Sequence, residues 1–235
     1  MLFDFDGTIS LGDGPVVRYA ECIAETLASG DRADFLGAVD DQRSGRANSS
    51  AIRPIDDYDA VQLAAALFSI PAEALSQAYL QSRLDLAGAL APIEAVPGLA
   101  DFLRDVRADA RLVLATNAPA TRISEALDSL DLHDAFDDVI TSVGKPAGLG
   151  LVLERLRTDS TAPSLRLLSI GDVWVNDLQP ALLQGFQTAL IGSTAPPGAT
   201  PTYRVERLDE LFPVITAWLS SETLGAIPPI PQFQN

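Results

Sequence analysis

Four short polar clusters stand out in this alanine-rich chain of 235 residues, each directly after an apolar run: Asp4-Phe-Asp-Gly-Thr8, Thr116-Asn117, Gly144-Lys-Pro146, and Gly171-Asp172 with Asp177 close behind. Aspartate is abundant, so an isolated Asp-x-Asp says little. Asp57 with Asp59, or the adjacent Asp40 and Asp41, read as solvated surface acids. Asp4 and Asp6 differ because they close the apolar stretch Leu2, Phe3, Phe5. Like charges side by side at the end of a core strand resist joint ionisation unless a cation neutralises them. A bound cation is therefore the expected remedy. Lys145 is the only lysine among 16 basic residues, all the others being arginine. A surface position is the usual fate of lysine, but a composition that uses arginine everywhere else retains here a compact point charge. Thr116 and Asn117, ahead of Ala-Pro, read on their own as the cap of a helix starting near Pro119.

The elements that must carry these clusters follow from periodicity. Residues 1 to 5 form a short strand that breaks at Gly7. Apolar residues at three-and-four spacing then predict helices over 16–27, 33–39, 59–68 and 72–90, with no comparable strand between them. This defines an all-helical insert over 13–92. Its midpoint, from Arg43 to Ser50, is a polar, glycine-containing loop. Beyond Pro92 and Pro97 the pattern alternates: helix 98–106, strand 111–115, helix 119–130, strand 136–141, helix 147–157, strand 165–170, helix 176–184, strand 188–191, a short strand at 203–205 and a helix over 208–219. That alternation is the signature of an α/β fold with a doubly wound parallel sheet, here built from residues 1–12 and 93–222. A tail over 223–235, with three prolines, is expected to pack weakly. In such sheets ligands bind outside the carboxyl ends of the strands, where the strand order reverses. The four clusters would all reach that edge.

Composition narrows the partners. With 32 acidic against 16 basic residues and a formal charge of −16, the chain repels nucleic acid and anionic membrane surfaces at long range. No apolar run approaches the roughly 18 residues of a membrane span, and Asp4 and Asp6 stand where an export signal would be basic, then apolar. Cys22 is the lone cysteine, so no internal disulfide is possible. A cytoplasmic protein, monomeric or homodimeric, is expected.

The segments DFDGT, ATNAP, GKP and GDVWVND, in that order over residues 1 to about 192, resemble the four motifs of phosphatases of the haloacid dehalogenase (HAD) superfamily. The resemblance implies a core sheet ordered 5-4-1-2-3, with the helical insert acting as a C1-type cap. It implies that Asp4 attacks phosphorus to give an aspartyl-phosphate, and that Asp6 first protonates the leaving oxygen and then activates water. Magnesium would be held by Asp4, Asp172, Asp177 and the backbone carbonyl of Asp6, while Thr116, the Asn117 N–H and Lys145 bind the phosphoryl oxygens of a small phosphorylated metabolite. Arg43 and Arg46, in the polar cap loop, are candidates for judging the leaving group, the alternative being two solvated surface arginines.

Dehalogenases of this superfamily lack an aspartate at the position of Asp6, and phosphonoacetaldehyde hydrolases need a cap lysine, of which residues 12–92 contain none. A sugar phosphomutase remains the enzymatic alternative, and a catalytically idle binding module the non-enzymatic one. Trp174 is expected to pack rather than touch substrate, and Pro180 stands where the pattern suggests glycine. Only three residues precede Asp4, so the central strand is expected to be short, with room for a natural start upstream. His133 is the sole histidine, and neither a Walker lysine motif nor a G-x-S-x-G elbow is present.

Overall fold

A computed structural model describes residues 1–46, 53–160, 165–192 and 195–221. The second half of the predicted loop 43–50 and the predicted tail lie outside them. Strands are β1 (Leu2–Phe3), β2 (Ser10–Leu11), β3 (Glu94–Ala95), β4 (Val113–Ala115), β5 (Asp138–Ile140), β6 (Leu168–Gly171), β7 (Gln187–Ile191) and β8 (Tyr203–Val205). Helices are α1 (Gly14–Thr26), α2 (Ser29–Arg43), α3 (Asp57–Leu67), α4 (Ala72–Leu84), α5 (Leu99–Val106), α6 (Ile123–Ser129), α7 (Ala147–Asp159), α8 (Gln179–Leu183) and α9 (Phe212–Ser220). The chain divides into two compact units. One comprises Met1–Leu11, Glu94–Ala120 and Leu130–Asn235, and the other Gly12–Ile93 with Thr121–Ser129.

The first unit holds a six-stranded sheet in the order β5-β4-β1-β6-β7-β8, and every adjacent pair runs parallel. Its first five strands in sequence carry the expected 5-4-1-2-3 order, and β8 adds a sixth at the edge beside β7. The order reverses at β1, which pairs with β4 on one side (Leu2 to Val113) and β6 on the other (Leu2 to Ser169). Strands buried on both faces need unbroken apolar runs. Leu2, Phe3, Val113, Leu114, Leu168 and Ile170 supply them, all buried. Leu149, Val152, Leu153 and Leu156 of α7 cover one face around Leu2 and Val113.

The second unit is helical. Val16, Tyr19, Ala20 and Ile23 of α1 meet Phe35 and Val39 of α2, Val61, Ala64 and Ala65 of α3 and Ala78 of α4 in one buried cluster. Tyr19, Tyr58 and Tyr79 form an aromatic triangle with ring centroids 5.7 to 6.1 Å apart.

Several boundaries depart from the periodicity. The helix predicted over 72–90 stops at Leu84, because the Asp85 carbonyl turns back to accept from the Gly88 N–H and Ala87 adopts a left-handed φ of 60°. Conversely α2 runs on to Arg43, where the Ser44 hydroxyl donates to the Asp40 carbonyl. The helix predicted over 119–130 starts only at Ile123, after Arg122 at φ 57°. The two-residue antiparallel ribbon of β2 and β3 is too short for any period to announce it. Among the described residues no helix is long and apolar enough to cross a membrane.

Candidate active site

Asp4 directly follows β1, and its N–H donates to the Ile170 carbonyl (3.0 Å), which extends the pairing with β6 by one step. The chain then turns sharply: the Phe5 carbonyl accepts from the N–H groups of Thr8, Ile9 and Ser10. Gly7, at the tip with φ 80°, has no room for a side chain, since a Cβ there would lie 2.4 Å from Asp172 Oδ2. Removing that atom lets the turn close onto the end of β6. Thr8, fully buried, donates from Oγ1 to Asp172 Oδ1 (3.2 Å).

Asp177 is delivered by an unusual element. The helix predicted over 176–184 opens with a π-turn over Trp174–Leu178 before becoming α8, and Gln179 donates to the Trp174 carbonyl. Pro180 in the first turn of α8 has no N–H to offer the Asn176 carbonyl in α register, which favours the wider turn. Asp177 folds back, its Oδ2 accepting from the Val173 N–H (3.0 Å) while the Ser169 hydroxyl donates to its carbonyl (2.7 Å). Gly171 makes this possible, because a Cβ there would meet Asp177 Cβ at 2.4 Å.

Carboxylate oxygens of Asp4, Asp172 and Asp177 lie within 4.8 Å of one another. Lys145, in the turn after β5, sends its Nζ between them, donating to Asp4 Oδ1 (2.5 Å) and Asp177 Oδ1 (2.8 Å). Its ammonium is almost wholly buried. Burial pushes the Asp4 carboxyl well above the usual carboxylate range, and the Asp177 charge adds to this against the pull of Lys145, with Asp172 adding further. Burial also raises Asp177, opposed by the Lys145 ammonium and the Val173 N–H. Burial would depress the Lys145 ammonium, but Asp4 and Asp177 together outweigh it, so the lysine stays charged. One ammonium thus faces three carboxylates. That deficit, and a donor set made only of oxygen, fit a hard divalent cation.

Thr116 directly follows β4 and is buried, its Oγ1 accepting from the Ala118 N–H (3.0 Å), which leaves the hydroxyl proton available to donate. With α6 starting at Ile123, neither Thr116 nor Asn117 caps it; Asn117 instead bonds the main chain of Lys145. The carboxylate of Asp6 is not among the three that cluster; its residue sits in the turn, bridged through the backbone to Ser10. Such an arrangement combines a buried carboxylate at a strand end, a point positive charge and an oxygen cradle for a cation. A match to the family model of haloacid dehalogenase-like hydrolases spans residues 1–182.

The chain belongs to this family. Among solved structures, it resembles YfnB from Bacillus subtilis, described as a HAD-hydrolase and bound to magnesium, at 19% identity and TM-score 0.62, over 91% of this chain and 96% of that one. It resembles an L-2-haloacid dehalogenase at 18% identity and TM-score 0.57, over 92% and 97%. A HAD phosphatase from Thermococcus onnurineus matches at 21% identity and TM-score 0.54, over 91% and 96%. No curated protein matches the sequence significantly.

Within this HAD-like hydrolase, Asp4, Thr116, Asn117, Lys145, Asp172 and Asp177 all stand at the ends of neighbouring parallel strands or in the turns that follow them. Arg43 and Arg46 belong to the helical unit and are engaged by its own acids. Arg43 donates to Asp57 (2.7 Å) and Asp13 (3.3 Å), and Arg46 to Asp40 (2.5 Å) and Asp41 (3.1 Å). Asp40, Asp41 and Asp57 are thus surface acids with arginine partners. Two supporting residues escaped the sequence reading. Thr8 could have been found from its place in DFDGT; Ser169, inside an apolar strand, gave no signal.

Proposed function

We propose that this HAD-like hydrolase is a magnesium-dependent phosphatase acting on a small phosphorylated metabolite through an aspartyl-phosphate. The observation that carries the reading is the buried Asp4 carboxylate, held against the Lys145 ammonium and beside Asp172 and Asp177, with Asp6 two residues on. A dehalogenase has no use for an acid at that second position; a phosphate ester, whose leaving alkoxide must gain a proton, does. Asp4, Asp172, Asp177 and the Asp6 carbonyl would hold the metal. When bound, magnesium would neutralise charge on the phosphoryl oxygens.

An Asp4 oxygen attacks phosphorus and the ester P–O bond breaks, while Asp6 gives its proton to the leaving oxygen. Water then attacks the aspartyl-phosphate, Asp6 takes the proton, and inorganic phosphate leaves with Asp4 restored. Lys145 and the Thr116 hydroxyl hold the phosphoryl oxygens through both steps. Phosphoryl transfer offers a protein little covalent work beyond positioning and charge stabilisation, so most of the rate should come from this clamp. The test is a panel of phosphorylated metabolites assayed for released phosphate with and without magnesium, alongside a 2-haloacid assayed for halide. Magnesium-dependent phosphate release is the expected result. Halide release without phosphate release would reverse the assignment, and an isomerised phosphosugar in place of free phosphate would make the protein a mutase.

A further inference from the structure

Asn117 makes two hydrogen bonds to the main chain of one distant residue. The Lys145 N–H donates to Asn117 Oδ1 (2.6 Å), and Asn117 Nδ2 donates to the Lys145 carbonyl (3.3 Å). A carboxamide is the side chain suited to this, because it presents one acceptor and two donors on a rigid plane and can answer a peptide N–H and C=O together. A carboxylate could meet only the N–H, and exchanging the amide's oxygen and nitrogen would set donor against donor. From the residue so clasped, the side chain runs inward to place Nζ at 2.5 Å from Asp4 and 2.8 Å from Asp177.

We propose that Asn117 is a positioning residue for Lys145: its side chain, rather than only its N–H, fixes the lysine main chain so that the ammonium bridges Asp4 and Asp177. Lysine carries its charge on a flexible four-carbon stem with many rotamers. Anchoring its origin at two points limits where the charge can settle. A misplacement of about 1 Å near reacting atoms can cost on the order of 100-fold in rate. The catalytic consequence rests on the phosphatase reading; the clasp does not.

The single lysine makes the test unusually clean. Protein labelled with 15N-lysine gives one backbone amide signal, that of Lys145, and lysine acetylation reports on one side chain. In Asn117→Ala the Lys145 amide should exchange with solvent at least about 10-fold faster, as expected when a hydrogen bond worth roughly 1.5 kcal/mol is lost. Acetylation of Lys145 should also accelerate. With p-nitrophenyl phosphate, kcat should fall about 10- to 100-fold while KM moves less than about 3-fold, the scale seen when a supporting partner of a catalytic group is removed. Asn117→Asp keeps the acceptor for the Lys145 N–H, serves if the alanine variant does not fold, and should lose less amide protection. Unchanged exchange and acetylation in a folded variant would overturn the clasp. Altered exchange with unaltered kcat would overturn its role in positioning. Should the wild type hydrolyse no phosphate ester, the phosphatase reading falls, while exchange and acetylation still decide whether Asn117 holds the lysine.

Discussion

In the helical unit Arg18 is buried among Asp85 (2.8 Å), Glu25 (2.7 Å) and Glu21 (3.5 Å), and at the sheet edge Lys145 is buried between Asp4 and Asp177 with Asp172 alongside. Each places one cation against three acids, yet the surroundings differ. The side chains of Glu21 and Glu25 keep 46% and 61% of their exposure, so water screens them and only Asp85 is drawn inward. At the sheet edge the side chains of Asp4 and Asp177 keep 12% and 4%. Their excess negative charge is largely withdrawn from water. A paired group whose surplus reaches solvent completes a fold, whereas a buried surplus calls for something the chain does not itself supply.

The sharpest way to break this comparison is to remove Asp4, the proposed nucleophile. Asp4→Asn should lower turnover by at least about 1,000-fold, since residues that form a covalent intermediate act as a unit with their neighbours. It should not lower the unfolding temperature, because it relieves repulsion from Asp177 and Asp172. Phosphate release and a thermal melt on the same preparation decide the matter; a folded variant with substantial activity would remove Asp4 from its role.

Cation dependence comes next. A chelator should silence the wild type and magnesium should restore it. Magnesium at about 100 times its dissociation constant should also stabilise the protein by roughly 2.7 kcal/mol, seen as a rise of several degrees in the unfolding temperature. The rise should shrink in Asp172→Asn. Full activity in excess chelator, or an identical rise in that variant, would mean that the three carboxylates do not hold the ion.

The comparison also explains what was legible from sequence. The site could be read because strand ends are local: an apolar run followed by Asp4, Thr116 or Asp172 announces both the strand and the edge at which it stops, and parallel topology carries those edges together. Lys145 was visible through its uniqueness in the composition and its place in Gly144-Lys-Pro146. The partners that hold these groups were not visible, because no local pattern announces them. Asn117 clasping residue 145 and Thr8 bonding Asp172 are pairings of tertiary structure, while Ser169 reaches the Asp177 carbonyl only because the π-turn folds Asp177 back. Helix ends failed for a related reason. Apolar spacing continues past Leu84 and begins before Ile123, and it was backbone geometry at Ala87 and Arg122 that stopped or delayed the helices.

Arg18 tests the other half of the contrast. Arg18→Met keeps the apolar stem and strands Asp85, which should cost about 2 kcal/mol, below the 3–5 kcal/mol of a fully buried pair because Glu21 and Glu25 remain hydrated. In the folded variant kcat should stay within about 3-fold of wild type. A large loss of kcat without loss of stability would show that this pair serves function after all.

Tyr19 offers the smallest and most specific effect. It is buried in the aromatic triangle of the helical unit, and burial pushes its phenol up to about 12 from the ordinary 10.0. The neutral phenol is the form the fold prefers. Below pH 10 both folded and unfolded chains keep the proton, and the contribution of Tyr19 to stability is complete. Between about pH 10 and 12 the unfolded chain ionises first and releases its proton, so stability drains away as pH rises, until the folded form ionises too. Tyr203 and the Cys22 thiol are also raised by burial, so the total alkaline loss is shared among several groups. The difference between wild type and Tyr19→Phe isolates one of them. Urea midpoints taken at intervals from pH 8 to 12 should fall less steeply above pH 10 in the phenylalanine variant, while the two proteins keep a constant offset below it. Parallel curves across the whole range would mean that Tyr19 ionises as it would in water, and that the core of the helical unit is open to solvent at its aromatic centre.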